Sequence, residues 1–416
     1  MTDCNVPNRT IFCDDNLDIL RGINSECIDL IYLDPPFNKN KKFTAPIGSS
    51  AEGAEFSDIF RAEDVKDEWL ITIEQDQPEL FHYLNGIKGV GKPYNFAYLA
   101  YMAVRLIECH RVLKQSGSIY LHCDHTMSHY LKTTMDCIFG EHQFRNEIIW
   151  YYKTGGTSKK WYGRKHDIIL FYSKSSGYKF NMQKVKSYLS HKYGFSNIKI
   201  HKENDRYYTM VGMRDVWDIP ALRGNQSEST QYPTQKPVAL LNHVIIGGSD
   251  KGDIVLDPFC GCATTCVAAE RLERHWIGVD VSFKAYELVK NRLEKEASDP
   301  NDLLKYQNKI FMKTDPPART DLGKEYREQK YVYAISHPAY PDEYKIGIAK
   351  DWKSRLNAYQ TSDPDRQYKI EFKMKTPDFK EIENYIHDIY PNKHEWVQGD
   401  LEKIKESIKQ YKAKLK

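Results

Sequence analysis

The stretch IDLIYLDPPF, residues 28–37, constrains the fold of this 416-residue chain more than any other. A short apolar run ends on an Asp and two prolines, and each proline lacks an N–H and fixes φ, so the strand must stop there. The Asp and the Phe ring are then left at the strand's C-terminal edge, where open α/β sheets bind ligands. A tight exit turn with a buried Phe accounts for the same residues, and only the downstream sequence separates the two readings. Just upstream, RTIFCDDNLDIL reads as strand, acidic turn and helix, so two parallel strands joined by a short helix open the chain as a βα crossover unit.

The chain is 41% hydrophobic and 28% charged, an ordinary soluble composition. No stretch reaches the roughly 20 apolar residues of a membrane span, and MTDCNVPNRT has no signal-peptide apolar region. Nine cysteines run from Cys4 to Cys266 with none in the last 150 residues, which is not a disulfide framework; a reduced, cytoplasmic protein is expected. Net charge is only +3, but residues 151–209 hold 13 Lys/Arg against three Asp/Glu, interleaved with 13 aromatic residues. Phosphate neutralisation and stacking on bases both want that mixture, and a solvated basic face over a local aromatic core explains it equally well.

Along the chain, residues 38–97 read as a surface insertion with some helix. YNFAYLAYMAVRLIECHRVLKQSG has helical spacing and ends on Gly117, expected as a C-cap. SIYLHCD is a strand, HYLKTTMDCIFG a helix and HDIILFYSK a strand. GDIVLDPFCGCATTCVAAERLERHWIGVDVS then reads strand, glycine turn, helix, strand, and SFKAYELVKNRLEKEA is an amphipathic helix. Residues 297–328 are polar, carry prolines and lack a period, so they read as a linker. A compact unit beginning with two strands and a helix follows over 329–416, and its last charged helix reads as a solvated face.

The second informative stretch is DPFCG. A strand delivers Asp257, Pro258 and Phe259 into a glycine turn that lets backbone approach a ligand, and Asp280, nineteen residues after Gly261, ends the next strand at a distance suited to a ribose hydroxyl pair. Ala263 stands where a second glycine of a G-x-G would be. LDPPF, then YPTQKP at 232–237, then DPFCGCATT, in that order, resembles the β-class amino-group DNA methyltransferases, particularly the branch near type III modification subunits. The resemblance runs from about residue 9 to residue 295 and implies a Rossmann-like α/β sheet with permuted motif order, in a domain over 1–296. It also implies that S-adenosylmethionine is held by Asp257, Phe259 and Gly261 on its methionine side, Asp280 at the ribose and Asp15 near the adenine, with Thr234 and Lys236 closing the pocket. An alanine with negative φ at 263 still permits close approach, so weakened or altered cofactor affinity is expected rather than loss.

The resemblance also gives the opening motif a chemistry. An amine conjugated into a base ring is a poor nucleophile; Asp34 and the Pro35 carbonyl can each accept one of its hydrogens, drawing nitrogen toward sp³ and freeing the lone pair. Pro35 and Pro36 stiffen the backbone that aims that carbonyl. Phe37 would stack on a base flipped from the double-stranded DNA partner. Asp34 at the first motif position leans to N6 of adenine, with N4 of cytosine the alternative, and residues 151–215 fall where the family carries target recognition. A DNA-binding regulator with a decayed cofactor site is the reading from another class. Family members are often dimers, so a homodimer is an expected assembly.

YVYAI at 331–335, YKIGIA at 344–349, Arg355, EIENYIHDIY and HEW resemble the GIY-YIG nuclease superfamily, a small α+β fold. The resemblance places Tyr333 on the GIY tyrosine, Lys345 on the usual YIG tyrosine, Arg355 on the scissile phosphate and Glu383 on a metal such as Mg²⁺, with His387 one helical turn on. An inert DNA-binding module is the competing reading. Cys260, Cys262 and Cys266 lack zinc-site spacing, so Cys260 is expected as a small hydrophobe, and His122 with His125 as packing or surface groups rather than a metal pair.

Overall fold

The computed structural model describes residues 3–153, 159–190, 199–297, 310–321, 330–349, 352–363, 365–393 and 396–414. Two compact units, Met1–Glu325 and Tyr326–Lys416, divide the chain. The first contains β1 (Thr10–Cys13), α1 (Asn16–Gly22), β2 (Ile28–Leu33), β3 (Lys41–Thr44), β4 (Glu55–Asp58), α2 (Asp67–Asp76), α3 (Pro78–Gly89), α4 (Pro93–Val112), β5 (Leu113–Cys123) and α5 (Ser128–Phe139). It continues with β6 (Phe144–Tyr151), β7 (His166–Ser173), β8 (Lys184–Leu189), β9 (His201–Glu203), β10 (Arg206–Gly212), β11 (Val216–Asp218) and α6 (Val238–Gly248). β12 (Ile254–Asp257), α7 (Thr264–Arg271), β13 (His275–Asp280), α8 (Phe283–Ala297) and β14 (Phe311–Lys313) complete it.

Nine strands form one sheet in the order β11-β6-β7-β5-β2-β12-β13-β1-β14. Neighbours pair in parallel except where β7 meets β5 and β6. The six residues of β2 are all buried, as a parallel strand covered on both faces requires. Ile31 and Leu33 enter a core cluster with α1, α4 and α5, whereas Leu30 and Tyr32 enter a second with α6, α7 and α8. β2 and β12 lie side by side, Leu30 opposite Val255 and Ile31 opposite Leu256. Two segments far apart in the chain thus deliver Asp34 and Asp257 to one sheet edge.

Three expectations need correction. Gly117 does not cap a helix: α4 stops at Val112, and Gly117 lies inside β5, beside the shift in its pairing with β2. A Cβ there would come within 2.7 Å of Leu113 Cδ1 and 2.9 Å of the Asp29 carbonyl oxygen, so close approach explains the glycine. The stretch 297–328 is not a plain linker where it is described, because Phe311–Lys313 pairs in parallel with β1 and Ala318 and Thr320 hydrogen-bond Asn5 and Asn24. Those contacts are polar and leave no hydrophobic period to read; residues 298–309 and 322–328 lie outside the described residues. The insertion 38–97 is more than surface, since its hairpin β3–β4 buries Asp58 completely.

In the basic, aromatic region, β8, β10 and β9 form a separate antiparallel sheet, with 154–158 and 191–198 outside the described residues. Lys184, Lys186 and Tyr188 alternate outward; Arg206 lies 4.4 Å over the Tyr188 ring and Lys186 4.9 Å over that of Tyr208.

The second unit contains β15 (Lys330–Ser336), β16 (Glu343–Ala349), α9 (Trp352–Ser362), β17 (Lys369–Thr376), α10 (Phe379–Ile389), β18 (Asn392–Lys393), β19 (Trp396–Gln398) and α11 (Leu401–Lys414). Its sheet order is β17-β15-β16-β19-β18. Val332, Ala334 and Ile346 pack against Ile382 and Ile386 of α10 and Ile404 and Ile408 of α11. The last helix therefore buries a narrow apolar stripe beneath its charged face. No helix among the described residues is long and apolar enough to cross a membrane.

Candidate active site

The C-terminal edges of β2, β12, β13 and β1 border a cavity of about 380 Å³, lined by Asp15, Asp34–Phe37, Thr234, Lys236, Asp257–Cys262 and Asp280 among others. Every residue that the sequence assigned to catalysis or cofactor in this unit lines that one space. The strand order explains this, because β12 is inserted next to β2 and β1 lies next to β13.

The turn after β2 is held from the hairpin. Asp58 accepts from the backbone N–H of Asn38 at 2.6 Å and of Lys39 at 3.0 Å. Burial raises its carboxyl above the usual range, and these N–H groups, with that of Phe37, oppose the rise. Asn38 takes φ +60°, a left-handed turn that asparagine tolerates. Phe37 stacks on His122, ring centroids 5.9 Å apart and planes 21° apart. Behind it, His122 Nδ1 meets the Tyr32 hydroxyl at 2.9 Å and Nε2 meets Asp167 at 3.3 Å, while the Tyr152 hydroxyl donates to Asp167 at 3.1 Å. Burial pushes the Asp167 carboxyl up, but its His122 contacts prevail and hold it low. Asp34 Oδ2 pairs with the Lys236 ammonium, whereas Asp34 Oδ1 is buried without a hydrogen-bond partner.

The turn after β12 is braced by its own acid. Asp257 accepts from Thr265 Oγ1 at 2.5 Å and from the Phe259 N–H at 3.0 Å, and burial pushes its carboxyl up to about 7. Gly261 has φ +49°, and a Cβ there would come within 3.1 Å of the Tyr232 ring. Both features favour glycine. Asp280 Oδ2 accepts from that glycine's N–H at 2.9 Å and Oδ1 from Ser282 N–H at 2.8 Å, which leaves further lone pairs on each oxygen; burial raises its carboxyl. Ala263 departs from expectation: its φ is +54°, left-handed rather than negative. Its methyl is buried in the core cluster with Val267 and Ala285, and Ala263 is not among the cavity's lining residues.

Asp15 caps α1, accepting from Leu17 N–H at 3.0 Å, and pairs with the buried Arg105 at 2.7 Å. Arg105 itself lies 3.4 Å over the Tyr101 ring. Thr234 takes φ +65° in the loop before α6, which is pinned by Gln235 on Thr230 at 2.8 Å and by Glu228 on Val238 N–H at 2.6 Å. Sequence reasoning missed Phe43, Phe56, Asp58, Arg105 and Tyr232 as lining residues. Tyr232 stood inside YPTQKP, and a lone Arg on the apolar face of α4 was a signal; the hairpin residues offered none. Cys260, Cys262 and Cys266 are buried free thiols, and no cluster of three metal-ligating groups occurs among the described residues.

An acid at each end, a glycine turn and an aromatic wall suit a ribose-bearing cationic cofactor. The unpartnered Asp34 oxygen, beside the Phe37 ring, suits a planar donor.

In the second unit, Tyr333 of β15 is paired with Gly347 of β16, where a Cβ would meet the tyrosine oxygen at 2.6 Å. The Tyr333 hydroxyl lies 3.2 Å from that of Tyr359 and accepts from Arg355 Nε at 3.3 Å; burial pushes the Tyr333 hydroxyl up. Lys345 Nζ stands 4.6 Å over the Tyr359 ring. Tyr333, Lys345 and Arg355 are thus brought together. Glu383 and His387 are half-buried on α10, whose Ile382 and Ile386 serve the core. His394 and Glu395 of the HEW stretch lie outside the described residues.

A T5orf172 domain model, rather than a GIY-YIG one, matches residues 330–412. For the rest, the chain is 29% identical over 291 residues to the DNA adenine methyltransferase YhdJ of Escherichia coli (strain K12), covering 69% of this chain and 83% of that protein. It is 26% identical over 290 residues to the type II methyltransferase M.HpaI of Haemophilus parainfluenzae, covering 70% and 75%. The solved M1.HpyAVI–SAM complex aligns at 20% identity over 68% of this chain and 98% of that one, with a TM-score of 0.40. The model of the N6/N4 DNA methylases matches residues 28–291, and the chain belongs to that DNA methylase family.

Proposed function

We propose that the first unit transfers a methyl group from S-adenosylmethionine to the exocyclic N6 of an adenine flipped out of duplex DNA. The observation that carries this reading is the buried Asp34 Oδ1, an acceptor without a partner on the wall of the cavity that also holds the glycine turn. A buried lone acceptor costs about 1–3 kcal/mol, which a substrate N–H would recover. Asp280 and Asp15 hold the ribose and adenine ends of the cofactor, Asp257, Phe259 and Gly261 its methionine side, and Thr234 the mouth. Bound S-adenosylmethionine supplies an electrophilic sulfonium methyl. Asp34 Oδ1 and the Pro35 carbonyl each accept a hydrogen of the target amine, Pro36 stiffens that turn, and Phe37 stacks on the base. As the N–CH₃ bond forms and the S–CH₃ bond breaks, the proton shed by nitrogen goes to Asp34 Oδ1 and on to solvent. Adenine is favoured by the Asp at the first motif position and by the likeness to an adenine enzyme. The outward Lys184, Lys186, Tyr188 and Arg206 belong to the segment that reads the target site.

For the second unit we infer a DNA-cleaving GIY-YIG-like site, supported by the Tyr333–Arg355–Lys345 grouping, with Arg355 on the scissile phosphate and Glu383 holding Mg²⁺.

The test is to incubate the protein with S-adenosylmethionine and mixed-sequence duplex DNA, without divalent metal, and to analyse nucleosides by mass spectrometry. N6-methyladenine is the expected product, absent with Asp34→Ala, which still binds cofactor. N4-methylcytosine would keep the mechanism and overturn the substrate. Equal loss of cofactor binding and transfer in Asp34→Ala would remove Asp34 from its role.

A further inference from the structure

The two oxygens of Asp34 have different surroundings. Oδ2 takes the Lys236 ammonium, and Oδ1 is buried with nothing bound to it. Lys236 is only 7% exposed and comes from the loop before α6, some two hundred residues from Asp34 in the chain. Its Nζ also donates to the Thr234 carbonyl, two residues back in the chain, at 3.2 Å and stands 5.4 Å over the Phe37 ring. Three contacts fix the ammonium, so this is not one of the mobile surface pairs that contribute little.

A carboxylate with both oxygens unanchored turns about its Cβ–Cγ bond, and that torsion is broad and roughly two-fold. Anchoring one oxygen removes the freedom and sets the direction of the other. We propose that Lys236 is a positioning residue for the methyl-transfer step. It anchors Asp34 Oδ2 so that Oδ1 alone is presented to the exocyclic amine, and it compensates the carboxylate's charge in a buried place. This rests on the reading of Asp34 as the acceptor for that amine. It assigns Lys236 to the catalytic half of the cavity, whereas the TQKP resemblance assigned it to closing the cofactor pocket.

The two roles separate by experiment on the full chain. Lys236→Met and Lys236→Arg are compared with wild type for cofactor Kd by calorimetry and for kcat on duplex DNA at saturating S-adenosylmethionine. Lys236→Met is expected to lower kcat by at least about 30-fold with Kd unchanged within about threefold, and Lys236→Arg to recover part of the rate. A Kd raised in proportion to the lost rate, or a wild-type kcat, overturns the proposal. Should the methionine variant not fold, Lys236→Arg carries the same split: a lower kcat at unchanged Kd supports the anchor, and the reverse overturns it. Two controls separate this from the underlying reading: wild type must methylate and Asp34→Ala must not. If either fails, both proposals fall; if both hold, a normal Lys236→Met rate removes this one alone.

Discussion

Replacing Ala263 by glycine tests how the turn after β12 tolerates its unusual residue. At φ +54°, ψ 40° the alanine is left-handed, which costs roughly 1–2 kcal/mol for an L-residue with a Cβ. Glycine would remove that cost. Against this, it frees the unfolded chain by about 0.4–1 kcal/mol and removes a fully buried methyl group that contributes about 0.8 kcal/mol. The opposing terms nearly cancel, so Ala263→Gly should change stability by less than about 1 kcal/mol, or less than about 2 °C in the first unit's Tm. Because the methyl sits in the core cluster and Ala263 does not line the cavity, the cofactor Kd should stay within about threefold, roughly 0.6 kcal/mol. Calorimetric melting and S-adenosylmethionine titration of both proteins read the two quantities. A Kd tightened tenfold would refute this reasoning, since the methyl would then intrude on the ligand; it would also revive the decayed-pocket alternative.

Asp257 makes the first unit's stability depend on pH. Its carboxyl is pushed up to about 7 by burial, against about 3.9 when unfolded, so the native state holds the extra proton in that window. Its contribution to stability therefore falls as pH rises from about 4 to 7 and stays low above that. Asp257→Asn does not titrate, so the variant's Tm relative to wild type should improve between pH 5 and pH 8; a constant difference would mean the group does not titrate there. In the second unit, Glu383→Ala should end Mg²⁺-dependent cleavage while methylation is unaffected, as gel and nucleoside assays would show. Cleavage that persists would move the metal site elsewhere.

Local rules made much of the first unit legible. β2, β5, β12 and β13 stand out because apolar runs of strand length end at an Asp, and β7 because its run ends in a polar Ser-Lys-Ser-Ser-Gly stretch. Gly117 misled because a glycine after helical spacing resembles a cap, whereas here it serves close packing against Leu113 and Asp29. Phe311–Lys313 escaped notice because a three-residue edge strand has too few side chains to show a period. Ala263 was legible as a departure from the family's glycine, but the sign of its φ was not, because that depends on how α7 docks beneath the turn.

The chain's own pattern determined that two proline-stopped strands would each end on an acid and an aromatic ring, since strand periodicity and proline geometry act within a few residues. Tertiary structure alone decided that β12 lies against β2, which brings those ends into one cavity. It also decided that Asp58 of the hairpin clamps the first turn, that Tyr232 covers Gly261, and that Lys236 takes one oxygen of Asp34 and leaves the other bare. Such contacts depend on strand order and on burial shared among distant segments, which leave no periodic trace in the residues that make them.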